Sequence, residues 1–332
     1  MIWAGFHALL QTAAVTVLAG PETIQLNEPF AAAFDRAGSA YILEHKGQRI
    51  VRAGKDGRFA PFAGTGQPGR SGDGRPALQA QFYDPHGLLI TRDGRAAYVA
   101  DTLDNQVRRI DLRRGIVETL AGTGEKGFGG DGGPARQAVF NGVFAIALSQ
   151  DERSLFVADL GNRRVRRIDL RRRTVTTVAG NGERGVPADR SPAVSGPLQD
   201  PRAVAVDSQG LLYIVERNGN ALRVVDRAGA IRTVLAPGGQ TPDLKGPKHL
   251  CIDARGNVVI ADTENHVIRR YHPAGGSLVT IMGTGRAGAH VDPADPLKTE
   301  LNRPHGVVFG PDGVLYVSDS DNHRVLRLAG YR

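Results

Sequence analysis

Residues 303–328 read R-P-H-G-V-V-F-G-P-D-G-V-L-Y-V-S-D-S-D-N-H-R-V-L-R-L, and this stretch decides the fold. Residues 306–309 are a buried apolar run, and Pro311-Asp312-Gly313 is turn chemistry. Residues 314–318 are a second apolar run ending on Asp319. Asp321-Asn322 makes the next turn, and 325–328 alternates apolar with basic side chains. Three short strands in succession are therefore predicted. The same grammar recurs at 84–110, D-P-H-G-L-L-I-T-R-D-G-R-A-A-Y-V-A-D-T-L-D-N-Q-V-R-R-I. A pattern that copies itself sets the architecture before any single residue does.

The acid closing the second strand of each copy falls at Glu44, Asp101, Asp159, Glu216, Asp262 and Asp319, at intervals of 57, 58, 57, 46 and 57 residues. That gives six copies, starting near residues 28, 84, 141, 200, 246 and 303, with one shortened near 236–246. Most copies add a fourth strand, as in V-E-T-L-A-G (117–122), V-T-T-V-A-G (175–180) and L-V-T-I-M-G (278–283). Four strands per unit at this period predict propeller blades, whereas helical repeats would show a 3.6-residue period. The sixth copy ends before its fourth strand. The missing piece is A-A-V-T-V-L-A-G at 13–20, so the N-terminal strand is expected to complete the last blade and close the ring. The fold class is all-β: one six-bladed β-propeller domain of four-stranded blades.

The pattern P-x-G followed by apolar residues, P-D-G, Y-V-A-D and D-N-x-V-R-R resembles NHL repeats, and it covers nearly the whole chain. The resemblance implies a six-bladed β-propeller, in agreement with the count. It says little about function, because propellers host unrelated chemistries.

The 332 residues include 43 glycines and 19 prolines, as suits strands and turns, and no linker or composition break separates the copies. The net charge is +8, much of it in V-R-R-I-like third strands (Arg108, Arg109, Arg166, Arg167, Arg269, Arg270). Such residues are expected to be solvated or paired with nearby acids rather than to form a nucleic-acid stripe. Aromatic content of 6% supplies no stacking platform, so nucleic acid is not the favoured partner. The single Cys251 sits in an apolar run and forms no intramolecular disulfide. Residues 1–19 are apolar but lack a leading Lys or Arg and are interrupted by His7 and Gln11. They incline the reading toward export, secreted or periplasmic, and form no stable membrane span. A monomer is expected.

The residue after each strand-one proline should point toward the central axis. Round the ring it reads Phe30, His86, Val143, Arg202, Lys248 and His305, and His249 follows Lys248. Long glycine-rich loops, at 64–77 and 122–135, open on the same face and suit a binding surface. Their Asp73 and Asp131 are expected to cap backbone N–H groups within the loop. The first functional expectation is a small-molecule or protein ligand at the channel mouth, bound by Arg202, Lys248 and His249 with the ring acids Asp101 and Asp319. The second is a divalent metal, zinc or calcium, on His86 and His305 with His45 or Glu44 from blade one, serving a hydrolase or lyase. His266 and His323 read as ordinary turn residues.

Two families sharpen the second expectation. His86 and His305 look like the axial zinc ligands of the peptidylglycine amidating lyases, where three histidines come from alternate blades; here the blade-four place holds Arg202. The gluconolactonase and regucalcin group is similar in its Y-V-A-D pattern and binds calcium through Glu, Asn and Asp. Glu28, Asp101 and Asp319 resemble parts of that set, with His86 and His305 in the Asn places.

Overall fold

Each repeat becomes one antiparallel sheet because its apolar runs are separated by glycine, proline and Asx turns that double the chain back on itself. The computed structural model describes residues 13–54, 56–239 and 241–330, and its strands form six sheets. Blade one is Pro29–Phe34, Ala40–Glu44, Arg49–Ala53 and Phe59–Ala63; blade two is Pro85–Ile90, Ala96–Asp101, Gln106–Asp111 and Ile116–Ala121. Blade three is Val143–Leu148, Ser154–Asp159, Arg164–Asp169 and Thr174–Ala179; blade four is Pro201–Val206, Leu212–Glu216, Ala221–Val225 and Ala230–Leu235. Blade five is His249–Ile252, Val258–Asp262, Val267–His272 and Ser277–Met282. Blade six is Pro304–Phe309, Leu315–Asp319 and Arg324–Ala329. The first strand of every blade touches the first strands of both flanking blades, and blade six touches blade one, so the sheets close a ring.

The N-terminal strand Ala14–Ala19 pairs antiparallel with Arg324–Ala329, Ala14 opposite Ala329, and supplies the fourth strand of blade six. Val15 and Ala19 are buried by it, and Ala19 packs with Ile42, Val51, Tyr316 and Val325 across the blade six–blade one junction. Most of the apolar segment considered as an export signal, residues 1–12, lies outside the described residues. The shortened copy still builds its fourth strand. The loop before it adds a fifth, Ser191–Pro192, against Ala230 and Ile231.

The long loops are spent on sheet edges. Gly74 N–H donates to Val117 O and Val117 N–H to Arg75 O, so the first loop lies along the outer strand of blade two. Gly132, Val175 and Gly133 repeat this on blade three, and Val15 N–H donates to Pro293 O on blade six. Outer strands that would template foreign pairing are thereby covered. Asp73 does not cap its own loop as expected. Its carboxylate accepts from Arg108 (3.0 Å), Arg136 (2.9 Å) and Thr119 (2.9 Å). Asp131 likewise accepts from Arg166 and Thr177. A carboxylate within reach of a guanidinium gains more from charge-assisted bonds than from a neutral N–H.

The six strand-two acids form one repeated structural unit. Each is wholly buried. Each accepts a backbone N–H from the residues leading into its own blade: Asn27 to Glu44, Tyr83 to Asp101, Asn141 to Asp159, Gln199 to Glu216, Lys245 to Asp262 and Asn302 to Asp319, all at 2.7–2.8 Å. Each also meets an arginine on the third strand: Arg49, Arg108, Arg166, Arg223, Arg269 and Arg324. Burial pushes the carboxyls of Asp159, Glu216, Asp262 and Asp319 upward, against the pull of these donors. Six of the 42 basic side chains are therefore turned inward as matched pairs.

Candidate functional site

The axial ring is made by a bulge repeated in successive blades. Pro29, Pro85, Val143, Pro201 and Pro304 sit opposite the strand-two acids, but the next paired residues are Ala31, Gly87, Ala145, Ala203 and Gly306. The skipped residues are Phe30, His86, Phe144, Arg202 and His305, with Lys248 in the corresponding place of blade five. A bulge re-aims one side chain while the ladder on either side stays paired. Here it turns one side chain per blade to the axis. In blade three that residue is Phe144, not Val143, because Val143 itself takes the proline place opposite Asp159.

These side chains meet. Phe30 stacks between His45 and His305, with ring centroids 4.0 and 3.7 Å away. His86 packs edge-on against Phe30, His45 and Phe144. The Arg202 guanidinium lies 4.5 Å from the Phe144 centroid, and its Nη2 donates to His305 Nε2 at 2.8 Å. Gly306 permits this closeness: a Cβ there would stand 2.3 Å from Phe30 O. Below the plug, the channel is a cavity of about 290 Å³ lined mainly by apolar first-strand residues such as Leu88, Ile146, Val204 and Val307, and His249 faces it. Above it, a cavity of about 480 Å³ opens between blades five, six and one, lined by Phe30, Lys248, Arg303, His305 and Glu28.

Arg202 is 3% exposed. Among the described residues no carboxylate lies within 4.0 Å of it. Burial and neighbouring Arg217 pull its pKa down, to about 9, which leaves it charged at neutral pH. Lys248 is pulled down to about 8 by burial and by Arg303, despite Glu264 at 3.6 Å. His249 is lowered to about 4 by burial and Arg202. Since a guanidinium only donates, His305 Nε2 is the acceptor and Nδ1 carries the proton. That Nδ1 is buried and has no partner. Burial and Arg202 hold His305 and His86 well below the usual histidine range, so both are neutral.

The metal set expected from sequence is rearranged. Glu44 is engaged by Arg49 and by Asn27 N–H inside its blade, and the Phe30 ring separates His305 from His45. The acid that reaches the histidines is Asp84: its carboxylate meets His45 Nε2 at 2.5 Å, while Glu28 meets Nδ1 at 3.1 Å. His45, Asp84 and His86 each offer a ligand atom within 4.8 Å of the others. Asp101 and Asp319 are likewise engaged within their own blades and are not brought to the axis. One sequence signal marks His45. After the strand-two acid, blades two, five and six carry Thr102, Thr263 and Ser320, whose hydroxyls donate to the next blade's first-strand carbonyls. His45, Leu160 and Arg217 stand in that place in the other three blades, and His45 alone of these offers an imidazole. His266 and His323 are turn residues at φ +53°, and their Nδ1 atoms also accept N–H bonds from Arg303 and Glu28 of the following blade.

Comparison with known proteins agrees with this geometry. The NHL repeat family matches residues 301–328, and the Teneurin NHL domain matches 169–242. NHL repeat-containing protein 2 of Bos taurus is 26% identical over 88% of this chain and 45% of its own length, so the chain spans about half of that relative. Virginiamycin B lyase from Staphylococcus aureus superposes with a TM-score of 0.60 at 16% identity, covering 95% of this chain and 99% of that one. A candidate gluconolactonase superposes at 0.62 and 14% identity, covering 95% and 91%. Below 25% identity these structures speak to fold alone. No helix among the described residues is long and apolar enough to cross a membrane. The repeat grammar and the closed ring of six sheets make this chain a six-bladed β-propeller, with repeats similar to the NHL repeat over residues 301–328 and to the Teneurin NHL domain over 169–242.

Proposed function

We propose that the channel mouth binds a small molecule bearing a carboxylate or phosphate group, held by Arg202 and Lys248 above the Phe30 ring. The observation that carries this reading is Arg202 itself. A buried guanidinium with no carboxylate within 4.0 Å is costly, and His305, the Phe144 ring and the more distant Asp200 and Asp84 offset that cost only in part. The mouth is lined by Lys248, Arg303 and His305 with Arg202 behind His305, so an anion entering it would supply the missing charge nearby and accept from His305 Nδ1–H. The long loops contribute to the edges rather than to this site. A nucleic-acid face is not favoured, because the repeated arginines are bound to internal acids.

The test uses inorganic phosphate and malonate as probes, by calorimetry at low ionic strength. Saturable one-to-one binding is expected. Arg202→Met is expected to abolish it and to raise the melting temperature of the free protein, since an uncompensated buried charge is removed. Absence of binding by both anions, or binding that survives Arg202→Met, would overturn the proposal. The pH dependence follows from Lys248. Its ammonium is present below about 8 and lost above it, so affinity for malonate, a dianion by about pH 7, should fall as pH rises through 8. In Lys248→Met that fall should be absent while Arg202 still binds.

A second reading, a metal-dependent hydrolase or lyase, rests on the His45–Asp84–His86 cluster and stands or falls with the cation site argued next.

A further inference from the structure

The geometry points to a divalent cation site of the zinc type, built from His45, Asp84 and His86 on the blade one–blade two side of the Phe30 ring. It lies beside the anion pocket and is argued independently of it. His86 Nδ1 donates to Asp84 O (2.8 Å) and lies 3.0 Å from Thr102 Oγ1. The Thr102 hydroxyl proton is already committed to Val143 O at 2.8 Å, so its oxygen can only accept from His86. The tautomer is thereby fixed, and Nε2 keeps its lone pair for a ligand. His45 Nδ1 is held by the Glu28 carboxylate, which leaves Nε2 facing Asp84. Both histidines thus have their inner nitrogen tied to a second partner; the outer nitrogen of His86 is free to ligate, and that of His45 meets the Asp84 carboxylate. That is the arrangement by which outer groups orient metal-binding imidazoles.

The carboxylates are placed at a backbone cost. Glu28 and Asp84 adopt left-handed φ of 49° and 58°. The corresponding residues before blades three and five are Gly142 and Gly246, at φ 79° and 54°, for which that region is free of strain. Non-glycine residues take this conformation before blades one, two and six, where Arg303 has φ 48°, and of these the two carboxylates reach His45. The donor set of two imidazoles and one carboxylate suits zinc or a similar borderline ion with an open position; calcium would require six to eight oxygens. For zinc, His45 Nε2 and Asp84 Oδ1 must spread to about 3 Å, with the ion replacing the proton between them. A bound ion would add a Lewis-acidic position next to the anion pocket.

Zinc titration of the chelator-treated protein by calorimetry at pH 7.5, without added anion, tests this. One saturable site per chain is expected. His45→Ala, Asp84→Asn and His86→Ala should each weaken zinc binding by about a hundredfold or more. Glu28→Gln, which leaves all three ligands in place, should weaken it about ten- to a hundredfold. His305→Ala and Arg202→Met should retain it, which separates this site from a His86–His305 pair and from failure of the anion pocket. Circular dichroism melts show which variants are folded, and Glu28→Gln supplies the decision if a ligand variant is not. Absence of saturable zinc binding, binding unchanged in Glu28→Gln and His45→Ala, or loss only in His305→Ala would each overturn the assignment.

Discussion

A variant lacking residues 1–20 is expected to melt at least about 10 °C lower than the intact chain, or to fail to fold. The strand Ala14–Ala19 pairs along the whole length of Arg324–Ala329 and covers its open edge. Its removal exposes Leu326 and Leu328, which are otherwise buried. Exposing a buried aliphatic side chain costs roughly 1.5–3 kcal/mol, and folded domains hold only about 5–15 kcal/mol in total. The ring also loses its closure, so the blade six–blade one junction is weakened along with the strand. Val15→Asp is a milder version in the full-length chain: it keeps the strand and buries an unpaired charge, and should shift the melt in the same direction. Thermal denaturation followed by circular dichroism reads both. An unchanged midpoint in the two variants is incompatible with closure by this strand.

Arg166→Ala should destabilise the protein by about 3–5 kcal/mol, whereas Arg167→Ala, one residue away, should change stability by less than about 0.5 kcal/mol. Arg166 is wholly buried and meets Asp159 at 3.3 Å, Asp131 at 2.7 Å and Gly129 O at 3.0 Å. Truncation leaves the Asp159 carboxylate without its cation in a site that already pushes it upward. It also releases the loop that covers the edge of blade three. Arg167 lies on the other face of the same strand and is exposed. Urea denaturation of the two variants gives the comparison directly. Equal effects would mean that the acid–arginine pair does not hold the blade together.

The architecture was legible because the repeat is written in turn residues and apolar alternation, which act locally. The six acids at even spacing, the P-D-G turns and the displaced strand at 13–20 all translate into the blades observed. The site was legible only in part. His86, Arg202, Lys248 and His305 could be placed on the axis because each follows the same point in the repeat. Phe144 is missed in favour of Val143, since without a proline nothing in the sequence shows that Val143 itself fills the proline place. Glu44, Asp101 and Asp319 read as site acids because spacing alone does not show which side of a strand is already filled by arginine. Asp84 does not stand out in the sequence. Its reach to His45 depends on a left-handed backbone angle and on the contact of two blades, neither of which adjacent residues encode.

The skipped residues separate what supports from what selects. Since ladder pairing resumes immediately after each slip, the five skipped positions 30, 86, 144, 202 and 305, and position 248 just ahead of the blade-five strand, can be exchanged without altering any strand's inward and outward alternation. Relatives with the same frame can therefore present wholly different chemistry at the centre. Swapping those six side chains between them is a direct way to transplant ligand preference.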